Sequence, residues 1–119
     1  MQRRLSGTVR VLHVEDESSF ADLTSAYLER ELDDVTITIE TTPDAALSRL
    51  ADAEFDCIVS DYNMPGMNGI EFLKAVRADR PNLPFILFTG RGSEEIASEA
   101  ISAGVTDYLQ KGTSPDQYT

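Results

Sequence analysis

Apolar and polar positions alternate along this chain in two rhythms, one of strands and one of helices. Val9-Arg10-Val11-Leu12-His13-Val14 is β-branched and mostly apolar, and Val35-Thr36-Ile37-Thr38-Ile39 alternates with β-branched residues throughout, so both predict strands. The run Asp56-Cys57-Ile58-Val59-Ser60-Asp61 is short and continuously apolar between its two acids, the pattern of a strand buried on both faces, as parallel sheets require. It places Asp61 at its C-terminal tip, just before the Met64-Pro65-Gly66 turn. Leu83-Pro84-Phe85-Ile86-Leu87-Phe88 predicts a fourth buried strand ending in Thr89-Gly90-Arg91-Gly92. Val105-Thr106-Asp107-Tyr108-Leu109-Gln110 predicts a fifth, more polar strand ending in Lys111-Gly112.

Helical spacing fills the gaps. Ser19 with Asp22 resembles a capping box, and Phe20, Leu23, Tyr27 and Leu28 carry a helix to about Leu32, before a turn at Asp33-Asp34. Thr42-Pro43 is a second helix start, hydroxyl as N-cap and proline at the first helical position, with Ala46, Leu47 and Leu50 toward the core. Ile70, Leu73 and Val76 share one face of a third helix, which Arg80-Pro81-Asn82 stops. Ser93 caps a fourth with the apolar set Ile96, Ala97, Ala100 and Ile101, closed by Gly104. Ser114-Pro115-Asp116 reads as the start of a fifth helix with few residues after it. Residues 1–8 read as an N-terminal tail and 9–119 as one domain, incomplete at its C-terminus.

Strands alternating with helices imply βαβ crossovers, hence an α/β, doubly wound, five-stranded parallel sheet with helices on both faces. In the flavodoxin-like order, two-one-three-four-five, strands one and three flank the switch point where such sheets bind ligands. Glu15 and Asp16 follow strand one, Asp61 strand three, Thr89 strand four and Lys111 strand five, all on one edge. Three clustered carboxylates repel one another unless a cation or protons intervene, so a hard, oxygen-liking ion is expected, and Mg²⁺ fits. A carboxylate nucleophile beside Mg²⁺, a lysine point charge and a hydroxyl donor suits phosphoryl transfer onto Asp61, giving an acyl phosphate.

Composition narrows the setting. At 119 residues and 41% hydrophobic, the chain is one domain with a proper core. Its net charge of −11 argues against nucleic acid as a partner. No apolar stretch approaches the ~20 residues of a membrane span, and the N-terminus lacks the apolar region of a signal peptide. The single cysteine, Cys57, lies within the third strand and fits a reduced, cytoplasmic setting. His13, between Leu12 and Val14, sits too far back to join the tips and is read as a core or strand-face residue; Met64 and Met67 are read as packing around the turn.

These residues together resemble the receiver domain of two-component response regulators, from about Val9 to Lys111. The resemblance rests on Glu15-Asp16, on Asp61 within S-D-Y-N-M-P-G-M-N-G, on Thr89, and on Asp107-Tyr108-Leu109-Gln110-Lys111. It implies a CheY-like fold and a phosphorelay switch, not a turnover enzyme, in which Asp61 accepts a phosphoryl group from the phosphohistidine of a sensor histidine kinase. By the same resemblance, Mg²⁺ would be held by Asp16, Asp61 and the backbone carbonyl of Asn63, with Glu15 acting directly or through water. Thr89 and Tyr108 would form the switch pair. The face of the fourth predicted helix and fifth strand would then change its affinity for an output domain or protein, or for a second copy as a homodimer.

Three departures stand out. Glu15 occupies a position where the family usually has aspartate, which adds a methylene. Gly112 follows Lys111 where the family usually has a proline in a cis bond. A cis bond without proline costs about 2.5–4 kcal/mol, so Gly112 bears on where Lys111 sits, although glycine tolerates unusual geometry best. A truncated fifth helix would leave part of strand one or five exposed. Two other functions compete: a degenerate receiver that binds partners without phosphorylation, and an aspartate-nucleophile phosphatase. The phosphatase class usually has a second aspartate two residues on as general acid, and here that residue is Asn63. Flavin binding fits poorly, because the first strand-to-helix turn is acidic and not a phosphate cradle.

The charge balance itself is testable. Two lysines and eight arginines face twenty-one acids, either a solvated surface that favours solubility or an adaptation to high salt, where ions screen self-repulsion. On the second reading, urea titrations between about 0.1 M and molar KCl give an unfolding free energy that rises with salt; a flat or falling profile rejects it.

Overall fold

The computed structural model describes residues 8–16, 30, 34–90 and 94–110. Its elements in chain order are β1 (Val9–Val14), β2 (Val35–Glu40), α1 (Pro43–Asp52), β3 (Cys57–Ser60), α2 (Gly69–Asp79), β4 (Phe85–Thr89), α3 (Glu94–Ala103) and β5 (Asp107–Gln110). The five strands form one parallel sheet in the order β2-β1-β3-β4-β5, as expected for the doubly wound fold. Several expectations lie outside the described residues: the tail up to Gly7, the Ser19–Asp22 capping box, the Ser93 cap, Lys111-Gly112 and the start of a fifth helix. Of the helix predicted from Ser19 to Leu32, Arg30 alone is described, and it is helical.

One face of the sheet carries the core. Leu12 and Val14 of β1, Ile58 of β3, and Phe85 and Leu87 of β4 meet Ala46 and Leu50 of α1, Ile70, Phe72, Leu73 and Val76 of α2, and Ala100 of α3. On the other face His13 is buried. Val11, Cys57, Val59, Ile86 and Phe88 are only half-buried, and Val9 and Leu109 are exposed. The expectation of a third strand buried on both faces is thus met on the Ile58 and Ser60 side only. Cys57 is a free thiol there, and burial, then the neighbouring Asp56 charge, pushes its pKa up, away from reactivity.

Local signals explain the helix ends. Thr42 caps α1, its hydroxyl accepting from the Ala45 N–H at 3.1 Å, with Pro43 at the first position. The capping box of α2 was not foreseen: Asn68 accepts from the Ile70 and Glu71 N–H groups, and Glu71 accepts from the Asn68 N–H. At the end of α3, Gly104 takes φ +95°, its N–H donates to the Ile101 carbonyl, and the Val105 N–H donates to that of Ala100. That pairing is a Schellman motif. It uses the Val105 N–H, and Thr106 pairs outside the ladder with Phe85, so β5 begins at Asp107 and not at Val105.

Ile101 corrects the predicted apolar set of this helix. It is 70% exposed, because the inward stripe runs through Ile96, Ala100 and Ala103, and Ile101 lies 100° round the helix from Ala100. Two arginines tie the opposite ends of the helices together. Arg77, in the last turn of α2, donates through Nε to the Gly104 carbonyl and through one terminal nitrogen to those of Arg80 and Leu83. Arg80 donates to the Leu50 carbonyl of α1 at 2.6 Å. Apart from that of Leu83, in the loop before β4, these carbonyls lie at helix ends, where no partner exists within the helix. Asn68→Ala removes one acceptor serving two N–H groups, and is expected to lower stability by about 1 kcal/mol in urea titration; an unchanged midpoint contradicts that role.

Candidate functional site

The C-terminal tips of β1 and β3 are held side by side by the ladder itself. The Asp61 N–H donates to the Val14 carbonyl at 3.0 Å, and the Glu15 N–H donates to the Glu40 carbonyl of β2 at the same length. β1 therefore fixes both acids from its central place. Glu15 and Asp61 are buried, while Asp16 is exposed. Their carboxylate oxygens all lie within 4.8 Å of one another. At that separation and an effective dielectric of about 20, two ionised acids repel by about 3 kcal/mol. That is a large share of a small domain's stability, so a cation placed among the three would be favoured.

The residues present fit a hard cation: all three donors are carboxylates, no sulfur or imidazole joins them among the described residues, and one side opens to solvent at Asp16. Glu40 at the tip of β2 is held apart from this group by Arg49, whose Nε and terminal nitrogen reach the same carboxylate oxygen at 2.9 and 2.6 Å. Asp61 is fixed in orientation, since its Oδ1 accepts the Tyr62 N–H at 2.8 Å. Thr89 ends β4, fully buried. Tyr108 of β5 packs its ring partly against the core, and its hydroxyl is buried without a hydrogen-bond partner among the described residues. Asn63 is exposed in the segment after β3, and Lys111 lies outside the described residues. His13 is buried within β1, away from the tips, and Met64 and Met67 pack as expected.

Gly69 was missed in the sequence. It opens α2 and donates its N–H to the Tyr62 carbonyl at 2.7 Å. A Cβ on it would meet the Asp61 carbonyl oxygen, with Leu87 Cδ1 at 2.7 Å and Tyr62 Cα at 2.9 Å. The start of α2 thus rests directly on the backbone that carries Asp61. The N-x-x-E pattern of Asn68 and Glu71 before an apolar run was the available signal, since a helix starting there puts its first residue against the preceding strand.

The sequence matches the response regulator receiver domain family over residues 11–119. The chain belongs to the response regulator receiver family. It is 34% identical over 106 residues to the transcriptional regulatory protein ResD of Bacillus subtilis, covering 89% of this chain and 43% of that protein. To the transcriptional regulatory protein FixJ of Bradyrhizobium diazoefficiens it is 37% identical over 83 residues, covering 70% and 40%. The chain therefore spans less than half the length of these two relatives. Among solved structures, a CheY-like receiver domain from Methanospirillum hungatei superposes with a TM-score of 0.84 at 28% identity, covering 94% of this chain and 88% of that one. Receiver domains of two-component response regulators generally act as phosphoacceptor switches. No helix among the described residues of this receiver domain is long and apolar enough to cross a membrane.

Gly69→Ala is expected to cost about 1–3 kcal/mol, because the added methyl meets backbone that cannot swing aside. Urea titration reads this directly, and a variant as stable as the parent would disprove the close packing under Asp61.

Proposed function

We propose that this receiver domain takes a phosphoryl group on Asp61 from the phosphohistidine of a sensor histidine kinase and passes the change to an output domain or protein. The observation that carries this is the convergence of Glu15, Asp16 and Asp61 at the tips of adjacent parallel strands in a chain of this family. In the transfer, an Asp61 carboxylate oxygen forms the new bond to phosphorus while the bond to the imidazole nitrogen of the kinase breaks. The Tyr62 N–H, bonded to Asp61 Oδ1, orients that carboxylate beforehand.

Asp16, Asp61, Glu15 and the backbone carbonyl of Asn63 would hold Mg²⁺, which when bound neutralises charge on the phosphoryl oxygens. Thr89 supplies a hydroxyl to the phosphoryl group, and Lys111 a point charge. Tyr108 follows Thr89 as the reporting half of the switch. Its ring lies partly against the core with its hydroxyl in a buried place, so a change at Thr89 alters the packing of β5 and α3. The face presented by α3 and β5 then meets the output partner, or a second copy, with Ile101 outermost. Asn63, two residues beyond Asp61, provides no general acid, which favours a stored phosphate over turnover.

Incubation with a small acyl phosphate and Mg²⁺, followed by intact mass measurement, should add one phosphate, and Asp61→Asn should abolish it. Lys111→Ala should slow phosphorylation while leaving Mg²⁺ affinity nearly unchanged. Absence of any adduct across salt conditions would select the degenerate receiver, and steady release of phosphate from many esters the phosphatase.

A further inference from the structure

We infer that Arg77 is a positioning residue that holds α3 in its resting place and couples it, through α2, to the acidic site. This rests on the phosphoacceptor reading above and adds a second route of control, distinct from Thr89 and Tyr108. α2 touches the site at one end and α3 at the other. At its start, Gly69 bonds to Tyr62 and rests on the Asp61 carbonyl. At its end, Arg77 bonds to the Gly104 carbonyl that closes α3 at 2.9 Å. From Gly69 to Arg77 the helix rises over eight residue steps, about 12 Å at 1.5 Å per residue. The capping box and five buried residues fix this rod in place.

α3 is the described helix with the least holding it. Only Ala100 is fully buried, against three residues in α1 and five in α2. A helix so lightly packed is inexpensive to displace, and a single directed contact then weighs heavily in where it rests. The Arg77 contact is of that kind. The same guanidinium is pinned by the Arg80 and Leu83 carbonyls, so it cannot follow α3 if α3 shifts. The glycine at Gly104 keeps the approach close, since a Cβ there would come within 3.2 Å of Arg77 Nε. The bond therefore favours the resting position of α3 and is lost on displacement. A contact made in one state only biases the equilibrium toward that state, and by linkage weakens whatever ligand favours the other.

The test uses the full chain with Mg²⁺ and beryllofluoride as the phosphoryl mimic. Arg77→Met should bind the mimic about fivefold more tightly than the parent, and the amides of Gly104 and Val105 should exchange faster with solvent. Arg77→Lys keeps the charge and stem but not the fork that reaches three carbonyls, and should fall between the two; it decides the matter if Arg77→Met does not fold. Arg80→Met removes the contact to α1 and leaves α3 untouched, so its affinity should equal that of the parent. An Arg77 variant with unchanged or weaker affinity, unchanged exchange at Gly104, or an effect matched by Arg80→Met would overturn the coupling alone. A parent chain with no Mg²⁺-dependent response to the mimic would overturn the phosphoacceptor reading and the coupling with it.

Discussion

Everything at the acidic edge depends on the parallel pairing of β1 with β3. Val14 faces Ser60 in register, and the Val14 carbonyl takes the Asp61 N–H. Because both strands run the same way, the residues that leave them emerge on the same edge, one ladder spacing apart. The acids would not otherwise approach, since their charges oppose it. The backbone ladder and the core behind it, from Leu12 to Leu87, supply the restraint. The acidic group is therefore held together by the most buried part of the sheet, which suits a site that gains by receiving a cation.

The opposite ends of the helices show the complementary device. Acidic side chains crowd the tips of the strands, while arginines collect helix-end carbonyls at the far side. Arg77 and Arg80 reach carbonyls at the ends of α1, α2 and α3. A guanidinium is suited to this because its donors lie in one plane and serve several acceptors without moving. One end of the layer of helices is thereby tied down, opposite the end that lies near the acids.

Much of this was legible in the sequence. Strand and helix order followed from β-branched runs separated by helical spacing, and with the crossover rule that order was enough to bring Glu15, Asp16, Asp61 and Thr89 to one edge. The Thr42-Pro43 start and the glycine at Gly104 spoke through local chemistry that needs no tertiary context. What escaped depended on neighbours distant in the chain. Ile101 is apolar at a plausible helical spacing, and only the position of α3 against the core decides that it faces outward. Gly69 reads as an ordinary glycine until the Asp61 backbone is seen beneath it. Arg77 reads as a surface charge, because its partners are carbonyls, which every residue has.

The central place of β1 also bears on how the chain folds. β1 comes first in the sequence yet lies between strands made later, and the pairing of Arg10 with Asp56 spans 46 residues. Closing a loop of that length costs entropy before any contact rewards it, so this pairing belongs to the slower part of folding. Until it closes, Asp61 has no Glu15 or Asp16 beside it. A nascent or partly folded chain thus carries the aspartate but not the constellation around it, and the acidic cluster is assembled only when the centre of the sheet is complete.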